Sequence, residues 1–200
     1  MLDERSPEDD PLCDALETYE GSTERFLELA AQRFLSSGYA ATTVRDLARE
    51  AGVTIHFVYK TFKDKAGVLS AVVRWSFDRD TPAPDPEGTL AAHVGDLAAS
   101  FSRRTRVRAL AVEFASAARR DSDARDAMAA WQTRTMGKFL DFYRQRQARG
   151  EIDRSIDPAD LLSLLWAAEF GFGVLETIGI DPGDPDQIAR LLSRLVQSVS

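Results

Sequence analysis

Cysteine and histidine are nearly absent. Cys13 is the one thiol, and His56 and His93 are the two imidazoles. A lone thiol excludes an intrachain disulfide and a cysteine-based zinc site. Two histidines 37 residues apart, without ligand-like neighbours, do not make a metal centre. No uninterrupted apolar run reaches the roughly 18 residues of a membrane span. The chain begins Met-Leu-Asp-Glu, acidic where a secretory signal is basic. The expected location is therefore cytoplasmic, with no membrane partner. No stretch alternates apolar and polar residues long enough to make a strand. There is neither a glycine-rich phosphate loop nor a nucleophile beside a base, so the chain is expected to be no enzyme and to need no cofactor. Lysine is also scarce: Lys60, Lys63, Lys65 and Lys138 are the only four.

What is present is a chain of 200 residues, 44% hydrophobic and 28% charged. That length buries a core without disulfide or metal staples. The net charge of −7 is unevenly spread. Residues 1–21 hold eight acids and one arginine, and with Pro7 and Pro11 they read as a disordered acidic tail. Residues 33–65 hold six bases against three acids. Three of the four lysines fall between positions 60 and 65, a local cation cluster of the kind a phosphate-contacting surface needs.

Helical periodicity begins at Ser22. Phe26, Leu27, Ala30, Ala31, Phe34 and Leu35 form one apolar stripe, and Gly38 stops the helix. Thr43 followed by Asp46 is a capping-box arrangement, with Val44, Leu47, Ala48 and Ala51 as the apolar face behind it. Gly52 tolerates a left-handed turn, Thr54 caps a helix from Ile55 to about Thr61, and Asp64 caps another from Lys65 to about Arg79. Residues 81–88, with three prolines and a glycine, are a loop. Five further helices are expected at about 89–103, 106–119, 122–149, 158–179 and 184–199, punctuated by Asp121, Gly150, Asp157-Pro158, Gly179 and Gly183. The fold class is all-α, with about nine helices.

Residues 43–61 have the form of a helix-turn-helix, in which a first short helix braces a second whose start must reach base edges in the major groove. The stretch from Arg25 to Leu69 resembles the DNA-binding domain of the TetR family of transcriptional repressors. The matching residues are Ala31, Phe34, Gly38-Tyr39, Thr42-Thr43-Val44-Arg45-Asp46-Leu47-Ala48, Ala51-Gly52-Val53-Thr54, Tyr59, Phe62 and Lys65. The resemblance implies a helix-turn-helix domain over 22–66 and a helical ligand-binding and dimerisation domain over 67–200. It implies that a hydroxyl of Thr42 or Thr43 meets a phosphate, and that Arg45 reaches a phosphate or groove edge. Thr54, Ile55, His56 and Lys60 would form the exposed side of the recognition helix, with Tyr59 and Lys65 on the DNA backbone. His56 stands where the family often has glycine and Phe57 where it often has a small residue. Phe57 faces either the core or a thymine methyl. Ala66 and Gly67 replace residues the family often has as Glu plus a small or apolar side chain, which weakens that helix start.

The family's larger domain binds a small molecule and dimerises. Candidate pocket residues are Phe101, Leu110, Phe114, Trp131, Phe139, Tyr143, Trp166 and Phe170, which make the expected effector small and largely apolar. Glu113 and Glu169 sit in apolar surroundings, where one could mark a cationic ligand group. Arg103, Arg104, Arg106 and Arg108 read as a solvent-facing turn. Residues 161–175 are apolar nearly all round and must be covered on more than one side. With Leu191, Leu192, Leu195, Val196 and Val199 they offer a four-helix dimer interface, built on Leu165, Phe172, Leu175, Leu192, Leu195 and Val196. Gly171 and Gly173 would permit close approach across the two-fold. The expected function is a dimeric repressor that binds a palindromic double-stranded operator and is released by its effector. Two alternatives stay open: a helical protein-interaction module with a degenerate helix-turn-helix, and a regulator without a ligand.

Overall fold

A computed structural model describes residues 20–197. Residues 1–19 of the expected acidic tail, with Cys13 and Val199, lie outside the described residues, whereas Glu20 and Gly21, expected in the tail, begin the first helix. Among the described residues there are nine α-helices and no strand: α1 (Glu20–Ala41), α2 (Val44–Ala51), α3 (Ile55–Phe62), α4 (Lys65–Asp80), α5 (Leu90–Ala99), α6 (Thr105–Ala118), α7 (Ser122–Ala148), α8 (Pro158–Thr177) and α9 (Pro185–Gln197). The chain divides into two compact units between Val72 and Val73, within α4.

In the first unit, Phe26, Leu27, Ala30, Ala31 and Phe34 of α1 are fully buried, whereas Leu35 at the edge of the same stripe is exposed. Gly38 leaves helical geometry, and the chain makes one more turn before ending at Ala41. Thr43 caps α2: its hydroxyl accepts from the Asp46 amide at 3.1 Å and donates to the Asp46 carboxylate at 2.7 Å. Gly52 is left-handed, and the amide that follows it returns to the Ala48 carbonyl. Thr54 caps α3 by accepting from the Phe57 amide at 3.1 Å. Val58 and Phe62 of α3 are buried, and the Phe62 ring stacks on Phe26 with centroids 5.2 Å apart. The Asp64 carboxylate accepts from the Gly67 amide and opens α4. A Cβ on Gly67 would lie 1.8 Å from the Phe62 carbonyl oxygen. Gly67 therefore does not merely weaken the start of α4; it allows the end of α3 to approach it.

In the second unit, the expected helix over 89–103 stops at Ala99, and Phe101–Arg104 tightens into a 3-10 turn. The tighter turn brings the Arg104 guanidinium back onto the Leu97 carbonyl at 2.6 Å. Asp121 caps α7 and Asp157 caps α8, with Pro158 at the first helical position. The proline-rich loop is held by the fully buried Arg146, which donates to the carbonyls of Gly88 and of Pro86, the latter at 2.8 Å. Glu151, 3.6 Å from Arg146, accepts from the Leu90 amide and so ties the start of α5 to the same cation. The core gathers Leu90 and Val94 of α5, Phe139, Phe142 and Tyr143 of α7, Ile152 of the connection that follows, Leu161 and Leu162 of α8, and Val196 of α9.

α8 is long and apolar enough to cross a membrane by length and composition, with a mean hydropathy of 1.3. That departs from the reading that no segment qualifies. Here the helix packs on α6 and α7, and its Glu169 and Glu176 pair with buried arginines. Those contacts hold it to the second unit, with 22% of its apolar window buried.

His93 is buried among Phe139, Phe142 and Tyr143, with ring centroids 5.0–6.0 Å away. Burial holds its imidazole neutral and pushes its pKa down to about 4, only partly offset by Asp96.

Two outcomes are expected. Gly67→Ala forces a backbone shift at the α3–α4 junction and lowers stability by about 2 kcal/mol, seen as a fall in Tm of the helical signal. The unfolded chain takes up the His93 proton near its ordinary 6.5, but the folded chain only near 4. Stability is therefore constant from this group above pH 6.5, falls between 6.5 and 4, and loses up to about 3 kcal/mol in all. Urea titrations across that range should show this component in the native chain and not in His93→Leu.

Candidate functional site

The first unit presents α3 on α2 across the Gly52 turn, and its residues divide into two faces. Val58 and Phe62 point into the core. Ile55, 40% exposed, and Tyr59, 50% exposed, face outward together with His56 and Lys60. Exposing an isoleucine and a tyrosine beside a lysine on one short helix is poor economy for a surface with no partner, and suits base edges and phosphates. Phe57 is half-buried and meets Phe26 and Phe62 edge-on at 6.5 Å. Between its two readings, the core is the one observed.

Other expected contacts fall differently. Arg45 is exposed on the first turn of α2, and Thr43 and Thr54 are exposed caps whose hydroxyls are engaged by their own helices. Thr42 is buried and donates its hydroxyl to the Gly38 carbonyl at 2.8 Å, so it does not present that group to a phosphate. Lys65 also departs from expectation. Its ammonium donates to the Tyr39 and Thr42 carbonyls at 3.0 and 3.2 Å and lies 4.1 Å from the Tyr39 ring centroid. The cation ties the α1–α2 turn to the start of α4 instead of standing free for a phosphate. Lys63, exposed just after α3 with φ 69°, supplies a cation the assigned contacts did not include. Arg33 on α1 donates to Glu50 on α2 at 2.8 Å and holds that carboxyl below the usual carboxylate range. Glu50 is thereby occupied close to the exposed basic face.

The second unit contains a cavity of about 100 Å³. Six expected residues line it: Phe101, Trp131, Phe139, Tyr143, Trp166 and Phe170. Leu110 and Phe114 do not; both are fully buried core residues of α6. The wall also includes Phe77 and Thr81, which the sequence reading passed over. Phe77 stacks on Trp166 at 5.8 Å and meets Trp131 edge-on at the same distance.

Arg104 and Arg108 also line the cavity and are almost wholly buried, not solvent-facing. Arg104 pairs with Glu169. Arg108 donates to Glu176 at 2.9 Å, to the Phe101 carbonyl at 2.9 Å and to the Thr105 hydroxyl at 3.0 Å, and lies 3.5 Å from Glu169. The two cations face two carboxylates, and the cluster is neutral overall. Glu169 is thus a partner of arginines, not a charge awaiting a cationic group.

The expected interface residues are also redistributed. Leu165, Leu192 and Val196 line the cavity, and Val196 is buried in the unit's own core. Phe172 packs edge-on against Phe101 at 5.1 Å. Leu175 is half-buried. A Cβ on Gly173 would come within 3.0 Å of the Arg108 backbone, so this glycine serves the close contact of α6 and α8. The exposed apolar stripe runs through Leu164, Ala167, Gly171 and Val174 of α8 and Ile178 just after it, and on α9 through Leu191 and Leu195, both named for the expected interface.

Residues 26–72 match the family model described as bacterial regulatory proteins, tetR family. The HTH-type transcriptional regulator YvkB of Bacillus subtilis is 31% identical over 70 residues, which are 34% of this chain and 37% of that protein. The HTH-type transcriptional repressor KstR2 of Mycolicibacterium smegmatis is 40% identical over 60 residues, 28% of this chain and 29% of that protein. The chain thus matches only about a third of the length of these curated relatives. A crystal structure from Rhodococcus sp. assigned to the TetR family superposes with a TM-score of 0.75 at 23% identity, covering 89% of this chain and 97% of that one. This likeness extends the shared fold through the second unit. The family is one of regulators, not enzymes. Over residues 26–72, in its amino-terminal unit, the chain is thus similar to the tetR family of bacterial regulatory proteins.

Proposed function

We propose that the protein is a dimeric, sequence-specific DNA-binding repressor, released from a palindromic operator by a small and largely apolar molecule. The observation that carries this reading is the outward face of α3, where Ile55, His56, Tyr59 and Lys60 stand together on a helix braced by α2. Ile55 offers an apolar contact for a thymine methyl and His56 a hydrogen-bonding edge. Tyr59, Lys60, Lys63 and Arg45 serve the phosphates. The aromatic cavity of the second unit supports the effector.

The exposed stripe supports the dimer. Leu164 is 67% exposed, Ile178 62% and Leu195 63%. On α8 the stripe residues are spaced alternately three and four apart, one continuous face. An apolar surface of that continuity marks an interaction site. Two copies of the chain meeting through it would carry two α3 helices, as a two-fold operator with half-sites about one DNA turn apart requires. Effector binding then favours a conformation with the wrong spacing, and by linkage DNA weakens effector binding by the same factor.

Selection of random double-stranded DNA at near-physiological salt tests the central claim. An enriched motif with two-fold symmetry is expected. No enrichment, with binding confined to low salt, would overturn it in favour of a helix-turn-helix that no longer reads DNA.

On the selected site, Lys60→Ala should reduce the salt slope of log Kd by about 1. Lys65→Ala should leave that slope unchanged and lower the Tm, because its ammonium is spent on two backbone carbonyls. A reduced slope for Lys65→Ala would return that lysine to the phosphate.

In sedimentation at micromolar concentration the native chain should run at twice its 22.1 kDa mass. The double variant Leu191→Glu, Leu195→Glu should run as a folded monomer with unchanged far-UV circular dichroism.

A further inference from the structure

The second-unit cavity carries an inference about the chemistry of its ligand. It rests on the reading above that this cavity is the effector site. Its walls are aromatic, with Phe77, Trp131, Phe139 and Trp166 in contact. Its charged corner is already balanced, since Arg104 and Arg108 are matched by Glu169 and Glu176. An incoming carboxylate would have to displace Glu169 from two guanidinium groups. An incoming cation would sit beside those same guanidinium groups. Both carry a desolvation cost that no free counter-charge repays.

The neutral polar groups of the wall are in a different state. Trp131 Nε1, Thr81 Oγ1 and Tyr143 Oη are buried and have no hydrogen-bond partner in the protein. Such atoms are rare in folded proteins, and each costs free energy while it stays unmatched. An indole N–H is a donor only, so the group that satisfies Trp131 must be an acceptor. Burial holds the Tyr143 hydroxyl well above the ordinary phenol range, so it too keeps its proton and can donate. Trp131 and Thr81 both adjoin Phe77: the rings of Phe77 and Trp131 are 5.8 Å apart, and the Thr81 amide donates to the Phe77 carbonyl at 2.8 Å. Tyr143 lies twelve residues along α7 from Trp131, about 18 Å of helix. All three residues line the one cavity, with Trp131 and Thr81 beside Phe77. The volume of about 100 Å³ is on the scale of one ring.

We propose that this cavity takes an uncharged molecule about one ring in size with a hydrogen-bond-accepting oxygen, its ring among Phe77, Trp131 and Trp166 and its oxygen on Trp131 Nε1 or Thr81 Oγ1. Aryl ketones, aldehydes and esters are of this class.

Four probes of one skeleton test it by calorimetry on the full chain without DNA: acetophenone, its near-isostere cumene, benzoate and benzylammonium. Acetophenone should bind most tightly, about fivefold better than cumene, with both ions weaker still. The advantage of acetophenone over cumene, compared within each variant, should vanish in Trp131→Phe or in Thr81→Val, whichever group it meets. Two variants guard against one failing to fold. Tightest binding by benzoate or benzylammonium would overturn the proposal, as would an advantage that survives in both variants. Binding by none of the four would overturn it too, leaving the cavity to water or to a larger ligand. Because the readout involves no DNA, each of these outcomes is separate from the DNA selection. Ranked binding without any effect on the selected DNA would leave the ligand class standing and remove the regulatory role.

Discussion

Burying an arginine is tolerable only where its charge and its donors are met, and the second unit buries three of them. Arg146 meets the carbonyls of the proline-rich loop and Glu151. Arg104 and Arg108 meet Glu169 and Glu176 across the α6–α8 contact. Removing one partner of such a cluster strands a charge in a low-dielectric interior, so α8 is fixed against α6 in rotation and register as well as in distance. Gly173, with no Cβ to hold the backbones apart, lets that contact close. The phase of α8 follows. Its inward face supplies Leu162, Leu165 and Trp166 to the cavity, and its opposite face is left as the exposed apolar stripe. Cavity and stripe are two sides of one helix whose rotation the arginines set.

The first unit depends on shorter-range devices. Thr43 and Thr54 each satisfy an amide at a helix start, and Asp64 does the same for α4. These caps fix where α2, α3 and α4 begin, and the Gly52 turn fixes the angle between the first two. A recognition surface needs side chains at stated positions, and three caps with a turn give that with little core. The core it does have is largely aromatic, with Phe26 and Phe62 stacked and Phe57 edge-on to both.

Caps and turn residues act within a few positions of themselves, which is why α2, α3 and α4 and their boundaries were legible in the sequence. The outward set Ile55, His56, Tyr59 and Lys60 was legible for the same reason, since a capped helix of eight residues has a definite phase. Lys65 was not. Its partners are the Tyr39 and Thr42 carbonyls, more than twenty residues away, and backbone acceptors leave no sequence trace. α8 was illegible in another way. A helix apolar nearly all round has no amphipathic phase to read: Trp166 and Phe170 were placed inward, as found, but Leu165, which lines the cavity, was placed on the outer side. Charge spacing held the missing signal. Arg104 and Arg108 are four apart and Glu169 and Glu176 seven apart, each pair on one helical face, and the two pairs match. An arginine is ordinarily solvent-facing, and that default concealed the match.

The tether made by Lys65 has a mechanical meaning. One ammonium grips carbonyls on both sides of the α1–α2 turn while its own backbone begins α4. Arg33 and Glu50 clamp α1 to α2 at another point. Those two fasteners and the stacked rings of Phe26 and Phe62 tie α2, α3 and the start of α4 to α1. A displacement entering at the first turn of α4 is passed to α1, α2 and α3 as a single rotation or translation.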